Sequence, residues 1–401
     1  MANTAAIKDL ANPFDDWRSI AVAIFMALVG YTVMVSVPVL STALVHKVGF
    51  TEEQVGRIWG ADLGGLSLGA IISAMLVARM NRRFLVFIGV GLSIVANALC
   101  MVFTEYDAVL ALRVLAGTGS GIFTAVAVVT LGGTTNPTTA YNLELIGFAF
   151  STALELNYLP QLTMNEIYLF FMILSGLCAL LVFWIPTRPL SKEQLFEQEK
   201  HQKIHENWRV PKIVPWLCLA AVCFTYINIG GYFTYIELAA LADGVSQDWT
   251  GSVLTWSSFL GIAGCLIAYV CTRYGLFKPL FLSLITMAAI VAMLAVGIND
   301  INLAVSLFGF MTLWTFVDVY QSAMVAHMDR SGSLVALLPS VQGFGQFIGP
   351  NIAASIVGAG LGYPIMFVVS GSMALVALVL YIAVSLYMNR RAPENELAEA
   401  S

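Results

Sequence analysis

The chain has 401 residues, of which 59% are apolar and 11% are charged, and its net charge is −5. Soluble domains carry about 25% charged residues, and here too few polar side chains are present to cover such domains with a water-facing surface. The mean hydropathy of +0.84 leads to the same conclusion, that the chain is too apolar for soluble domains. These values exclude a soluble enzyme, and the acidic balance without a basic stripe excludes a nucleic-acid binder. Six cysteines stand singly in apolar runs, so we expect no disulfide framework, no metal and no cofactor.

Twelve apolar stretches are long enough to cross a hydrocarbon core of about 30 Å, which needs roughly 20 helical residues. They are residues 19–44, 54–78, 84–103, 108–131, 138–160, 164–185, 214–240, 250–272, 279–298, 303–326, 334–357 and 363–388. Most joints between them are only a few residues long. Residues 187–212 differ, since they hold six Lys or Arg and four Glu and no apolar run. We therefore predict an all-α membrane protein with six-helix bundles at 1–186 and 213–401, joined by a cytoplasmic linker at 187–212.

The basic residues predict the orientation in the membrane. If both termini are cytoplasmic, the loops and tails on that side hold sixteen of the nineteen Lys and Arg residues. The other side then holds only Lys47 and Arg57, and Arg113 lies within a span. Because cytoplasmic loops carry the excess of Lys and Arg, we expect a multi-pass protein of the plasma (inner) membrane with both termini in the cytoplasm.

Small residues recur at helical spacing in the first half. Gly65 and Gly69 share one face of span 2, and Gly117 and Gly121 share one face of span 4. In lipid, such pairs allow close helix approach, and packing alone is a sufficient role for them. The run from Gly65 to Gly69 also matches the G-x-S-x-G pattern of hydrolases, but it lies in mid-span without a nearby histidine, so we interpret it as a chance match.

Three segments carry a family resemblance. The joint after span 2 contains Leu76, Arg79, Arg82 and Arg83, with Ala78 where an acidic residue is usual; span 4 reads Arg113-Val-Leu-Ala-Gly-Thr-Gly; span 11 contains Gly345-Gln-Phe-Ile-Gly-Pro350. Together they resemble the major facilitator superfamily of transporters over the whole length of the chain. The resemblance implies two pseudo-symmetric six-helix bundles that expose a central cavity alternately to each side. It also implies a gating loop of Arg79, Arg82 and Arg83. An offset of 194 residues aligns Arg79 with Arg273, which follows span 8 and joins this gating set.

An ionisable residue within an apolar span costs free energy because its charge is removed from water, and its presence there indicates a function. Asp62, Arg113 and Glu155 lie about 8–12 Å from the outer ends of their spans at the helical rise. We predict that Arg113 pairs with Asp62 or with Glu155, and that the other carboxyl group is free to carry a proton. A permanently satisfied ion pair is the alternative. Glu144 lies eleven residues before Glu155, on the same helix face, and can also simply reach the inner interface.

The second half offers its own polar residues. Asp318 lies in the inner half of span 10, one turn after Trp314, whereas Glu237 lies near the outer end of span 7, where it either serves the pathway or reaches water. Asn228, Tyr232 and Tyr235 form one face of span 7, and Gln342 and Gln346 form one face of span 11. The resemblance implies a cavity lined by spans 1, 4, 7 and 10. The candidates on those spans are Tyr31, Arg113, Tyr232, Trp314 and Asp318, and for each aromatic residue core packing is the alternative.

These features predict a monomeric secondary transporter that moves a small, partly apolar organic solute, coupled to protons rather than to sodium. A carboxylate-bearing solute could bind Arg113 if that cation is not already neutralised. A drug or metabolite efflux proton antiporter of the same fold is an alternative. A transport-inactive membrane receptor or structural protein is an alternative of another class, and it requires every carboxylate to be permanently paired. An enzyme is not expected, because no nucleophile–base pair can be assembled at one depth.

Overall fold

The computed structural model of the protein describes residues 12–77, 80–187, 213–328, 334 and 337–399, and within these residues the chain is helical. The twelve long helices are α1 Trp17–Ala43, α2 Glu52–Leu76, α3 Arg82–Cys100, α4 Tyr106–Gly132, α5 Pro137–Tyr158, α6 Met164–Leu181, α7 Ile213–Ala242, α8 Gln247–Cys271, α9 Phe277–Ala292, α10 Asp300–Met328, α11 Leu338–Gly358 and α12 Gly362–Glu399. A π-helical turn at Leu44–Val48 extends α1. The prediction of twelve helices in two bundles is confirmed.

Helix ends follow the local sequence. Thr51 before α2 and Thr163 before α6 each form a capping box with the Gln or Glu three residues later, which satisfies backbone donors that the first turn leaves free. The turn between α1 and α2 uses Gly49 at a φ of 88°, a conformation that glycine adopts without steric cost. Short joints of this kind make consecutive helices antiparallel neighbours. The twelve helices alternate in direction, so the start of α1 and the end of α12 lie on one face of the molecule, here called the terminal face; the other is the distal face.

Ten of the twelve helices are long and apolar enough to cross a membrane. The two that fall short are α5, which carries Glu144 and Glu155, and α11, which is rich in glycine and glutamine. Each packs against a helix of the other bundle, α5 against α8 and α11 against α2. The less apolar helices therefore lie where the two bundles meet.

Helices α2 and α4 pack closely within the first bundle. Gly65 and Gly69 of α2 face α4, and Gly117 and Gly121 of α4 face α2; a Cβ atom on any of the four would overlap a backbone oxygen of the opposite helix. The overlapped oxygen at Gly117 belongs to Asp62. The close contact expected from the sequence is thus present, and it brings the backbone of Asp62 onto α4 near Arg113.

Contacts between the bundles extend from the distal face to beyond the middle of α2. Tyr235 of α7 donates a hydrogen bond to the backbone oxygen of Glu52 over 2.8 Å at the distal end of α2. Further along, side chains of α11 fill the space beside the small residues of α2, at Gly56, Gly60 and Gly64. Because tight helix contacts of this kind exclude solvent, the bundles are closed against each other on the distal side.

Candidate functional site

Arg113 lies in the first bundle and is held by groups from three other helices. Its Nη1 lies 3.3 Å from Asp62 Oδ2, and both side chains are almost fully buried. Its Nη2 donates to Asn97 Oδ1 over 2.7 Å, and its guanidinium lies 5.3 Å from the ring centroid of Tyr168. Of the two partners that the sequence left open, the structure places Asp62, and not Glu155, against Arg113.

The position of Arg113 differs from the one implied by its place on span 4. The side chain is 0% exposed and faces α2, α3 and α6 inside the first bundle. A small polar void beside it is bordered by Thr32, Ser93 and Ser175. The expected place on the wall of a central cavity is therefore wrong, because the close α2–α4 packing turns this face of α4 inward. With its charge met by Asp62, Arg113 does not fulfil the condition for holding a carboxylate-bearing solute.

Glu155 is a second buried acid of the first bundle, 5% exposed. Ser36 of α1 donates to Oε2 over 2.8 Å, and Ser151 donates to Oε1 over 2.7 Å. Thr32 lies within hydrogen-bonding reach of the same carboxyl group. In the described part of the chain its contacts are hydroxyl groups and not a cation. Hydroxyls can both donate and accept, so this environment can satisfy the carboxyl group with or without a proton.

Asp318 of α10 is the centre of a polar cluster in the second bundle. Its Oδ1 accepts hydrogen bonds from Tyr226 Oη of α7 over 2.8 Å and from Gln342 Nε2 of α11 over 2.6 Å. Trp314, one turn earlier on α10, lies within hydrogen-bonding reach of Tyr226. Three helices thus converge on one carboxylate. Sequence reasoning missed Tyr226, because no pattern within α7 shows that its hydroxyl reaches another helix.

The Asp318 cluster lies one helical turn from the place where Trp314 and Gln346 of the second bundle meet Met34 and Leu63 of the first, and we call this region between the bundles the central cleft. The hydroxyl of Tyr31 on α1 lies close enough to Glu144 and to Asp318 for both charges to act on it. Its ring is held edge-on to Phe148 at a centroid distance of 6.1 Å. Tyr31 therefore lies within electrostatic range of one carboxylate from each bundle.

A narrow void continues from the cleft between the bundles. It is lined by Met34, Leu63, Gly230, Phe233, Trp314 and Gln346. The rings of Trp314 and Phe233 pack edge-to-face at 5.6 Å. A Cβ on Gly230 would lie 3.1 Å from the Cα of Gln346, so glycine lets α11 approach α7 here and brings Gln346 to the void. Trp314 and Gln346 thus both border the void between the bundles.

The polar stripe predicted on α7 faces the interior of the second bundle for most of its length. Asn228 donates to the backbone oxygen of Ser370 over 2.7 Å, and the hydroxyl of Tyr232 lies 2.9 Å from Ser306 Oγ. Tyr232 is 0% exposed, and its ring lies 4.1 Å from that of Phe310. Asn228 and Tyr232 therefore stabilise helix packing and do not border the central cleft, contrary to expectation.

Residues 20–350 match the family model described as the Major Facilitator Superfamily. The chain belongs to the major facilitator superfamily. No match was found among curated protein sequences. Within this superfamily the fold is shared with solved structures of low sequence identity, which support the fold alone.

Three solved structures illustrate that similarity. The nucleoside transporter NupG has a TM-score of 0.68 and 12% identity, over 91% of this chain and 98% of NupG. A D-xylose-proton symporter has a TM-score of 0.69 and 13% identity, over 91% of this chain and 97% of the symporter. The human organic anion transporter MFSD10 (TETRAN) has a TM-score of 0.64 and 14% identity, over 91% and 99%.

The arginines of the superfamily loops contact their own bundle in the described residues. Arg82 is 4% exposed, and its guanidinium lies 4.8 Å from the ring centroid of Phe14. Arg83 Nε donates to the backbone oxygen of Ile185 over 2.8 Å. Arg273 lies 4.8 Å from the ring centroid of Tyr274. Arg79 lies outside the described residues.

Glu237 is buried at the distal end of the contact between the bundles. It is 2% exposed and lies within hydrogen-bonding reach of Thr42 on α1. The alternative that Glu237 reaches water is therefore wrong, because α1 covers this face of α7. Its Oε2 has no hydrogen-bond partner among the described residues.

The described residues contain no group of three or more His, Cys, Asp or Glu side chains placed to hold a metal ion. All six cysteines are free thiols. The chemistry on which the site can draw is that of carboxyl, hydroxyl, amide and aromatic side chains.

Proposed function

We propose that this protein is a secondary active transporter that moves a small organic solute by alternating access and couples the movement to protons. The observation that carries the proposal is the Asp318 cluster, which faces Tyr31 of the other bundle at the contact between them. A site built from both halves at the repeat interface is the arrangement that secondary transporters use. In this proposal the solute binds in the central cleft.

The contact between the bundles supports alternation. On the distal side it is made by the small residues of α2 against α11 and by the hydrogen bond from Tyr235 to Glu52. Few polar groups would lose partners if these surfaces separated, so the contact can open at a modest cost. The state described here is closed distally, and its cleft would open towards the terminal face.

Proton coupling is proposed to use Glu155. Asp62 is already neutralised by Arg113, whereas the hydrogen-bond donors to Glu155 among the described residues are the hydroxyl groups of serines. Burying an uncompensated charge costs several kcal/mol, and a proton removes that cost. Sodium is the alternative coupling ion, since carboxyl and hydroxyl oxygens can also bind it.

A drug or metabolite efflux proton antiporter is the second candidate. Carboxylates from both bundles and the aromatic side chains of the cleft favour it. A transport-inactive receptor fits less well. It requires permanently paired carboxylates, and Glu144 makes no hydrogen bond or ion pair with another described residue.

The placement in the cell is part of the proposal. We propose a monomer of the plasma (inner) membrane, with both termini and the linker at 187–212 in the cytoplasm, since the basic loops then lie inside. The bundles would be residues 1–186 and 213–401. In that orientation the terminal face is cytoplasmic, and the described state is closed on the outer side.

Transport into proteoliposomes under an imposed pH gradient tests the function. A panel of nucleosides, pentoses, organic anions and amines is offered in both gradient directions. We expect one class to accumulate, the accumulation to collapse with an uncoupler, and Glu155→Gln to abolish accumulation while leaving solute exchange without a gradient. Glu105→Gln, which changes an exposed acid at the start of α4, is the matched control and should transport normally.

Two outcomes would contradict the proposal. Accumulation that requires a sodium gradient and ignores pH would replace the proton by sodium. Wild-type accumulation in Glu155→Gln would show that this carboxyl group does not carry the coupled proton.

A further inference from the structure

Glu237 of α7 lies where the second bundle touches α1 of the first. Met34 and Val37 of α1 line the same void as Thr234 of α7. Both helices run from the terminal face to the distal face, so the residues one turn further along each helix also meet. Glu237 follows Thr234 by three residues and lies within hydrogen-bonding reach of Thr42 on α1. Its position between the bundles therefore follows from the packing of α1 on α7.

The surroundings of Glu237 in this closed state suit a protonated carboxyl group. The side chain is 2% exposed, and its buried Oε2 has no hydrogen-bond partner among the described residues. Thr42 donates to the backbone oxygen of Pro38 over 3.3 Å. A hydroxyl has one hydrogen to donate, so while that bond is made Thr42 can only accept a hydrogen bond from Glu237. A protonated carboxyl group can donate that bond, and a carboxylate cannot.

No cation forms an ion pair with Glu237 in the described part of the chain. The charge of Lys47 acts on it, but Lys47 Nζ donates to the backbone oxygens of Pro160 and Leu162. The other ionisable side chains at the distal ends of the surrounding helices are His46, Glu52, Glu53, Arg57, Asp243, Asp300 and Tyr363. Within the described residues none of them forms a hydrogen bond or an ion pair with Glu237. Because a buried carboxylate without a counter-charge is costly, a proton on Glu237 stabilises the closed state.

Opening of the distal face would change the surroundings of Glu237 but not those of Glu155. Glu155 accepts hydrogen bonds from Ser36 and Ser151, which both belong to the first bundle, so these bonds survive when the bundles separate. Glu237 belongs to the second bundle and is covered by α1 of the first, so separation exposes it to water on the distal side. An exposed glutamate is ionised at neutral pH. A proton that Glu237 binds on closing therefore returns to the same solution on opening.

We propose that Glu237 is a regulatory proton-binding site, and that the distal face closes only while this carboxyl group holds a proton from the distal solution. This proton is not carried across the membrane, which distinguishes it from the coupled proton assigned to Glu155. Since the closed state binds the extra proton, a fall in pH favours closure and a rise in pH favours distal opening. The inference rests on the alternating access of the proposed function and adds its regulation.

Distances between spin labels test the inference in the full-length protein, reconstituted in lipid nanodiscs. The labels are placed at Glu105→Cys and Asp248→Cys, at the distal ends of α4 and α8, in a background without native cysteines. Between about pH 5 and about pH 9, we expect the ratio of closed to open molecules to fall by up to about ten-fold per pH unit, because opening releases one proton. Glu237→Gln imitates the protonated side chain, so it should remain closed at every pH.

Two further variants show which group responds to pH. His46→Gln removes an exposed histidine that follows α1 and titrates in the same range, and it should keep the response of the wild type. Glu237→Asp retains a carboxyl group and should also keep a response, which provides a second variant at this position if Glu237→Gln does not fold.

Three results would overturn the inference: distances in the wild type that do not change with pH, an unchanged response in Glu237→Gln, or a response lost in His46→Gln. The vesicle assay separates this failure from failure of the proposed function. Proton-driven accumulation together with distances that ignore pH would leave the transporter and remove the regulatory site. A pH response that Glu237→Gln abolishes, without accumulation of any solute, would leave the regulatory site and remove the transporter.

Discussion

At the scale of single residues, the ion pair of Arg113 and Asp62 belongs to the stability of the first bundle. Both side chains are buried, and Asn97 and Tyr168 complete the surroundings of the guanidinium. Breaking a buried pair from one side leaves a charge without compensation, which costs more than losing both partners together. The pair therefore positions α2, α3, α4 and α6 relative to one another.

We expect Asp62→Asn to lower the free energy of unfolding by about 3–5 kcal/mol, because the arginine stays charged and loses its counter-charge. The double variant Asp62→Asn with Arg113→Gln should recover a large part of that loss. Denaturant unfolding in detergent micelles measures both. Equal stability of the single and double variants would show that the two charges do not depend on each other.

The sequence revealed the ionisable residues but not all of their partners. A charged residue within an apolar stretch is recognisable from the sequence alone. Four residues could be selected for that reason: Asp62, Arg113, Glu155 and Asp318. Asn97 and Tyr226 could not, since an amide or a tyrosine in a helix is ordinary and its partner lies on another helix. The inward direction of Arg113 depends on how α2 and α4 pack, which residue type alone does not determine.

At the scale of helices, the α2–α4 contact depends on glycine at particular positions. A Cβ on Gly117 would overlap the backbone oxygen of Asp62, whereas a Cβ on Gly91 of α3 has no atom within 4 Å. The two glycines thus differ in packing while both lie within helices.

We expect Gly117→Ala to lower the free energy of unfolding by about 1–3 kcal/mol through overpacking. Gly91→Ala should be neutral or slightly stabilising, because alanine favours the helix and nothing obstructs it. The same unfolding measurement compares them. A loss of similar size in both variants would argue against a close contact at Gly117.

Most helix boundaries were predictable to within a few residues, although α12 ends at Glu399, eleven residues beyond the predicted span. The reason for the agreement is physical. Apolar length and the turn residues between spans are set by the bilayer, and they are visible in the sequence. The role of α5 and α11 at the bundle interface was harder to predict. Their polar residues lower the mean hydropathy of these helices but do not indicate which helix packs against them. Pairing between distant helices is a property of the packed fold.

At the scale of the whole molecule, the distal closure depends on small residues of α2 that accept α11. A Cβ on Gly60 would overlap the amide of Asn351, so a large side chain at this position obstructs the closed state. The equilibrium between closed and open states should then move towards distal opening.

Spin labels at Glu105→Cys and Asp248→Cys, which are exposed positions at the distal ends of the two bundles, report that equilibrium in a background without native cysteines. We expect Gly60→Leu to shift the measured distance distribution to longer values. Gly91→Leu serves as the control and should leave the distribution unchanged. An unchanged distribution in Gly60→Leu would contradict the closure described for α2 and α11.

Helix α1 touches three separate places along its length. Tyr31 faces the cleft, Ser36 donates to Glu155, and Thr42 lies beside Glu237 at the distal end. Between the last two stands Pro38, which cannot donate a backbone hydrogen bond and so loosens the helix at that point. A proton that binds Glu155 would therefore act on the same helix that carries Tyr31 and that contacts Glu237 at the distal end. A movement of α1 would then reach all three places together.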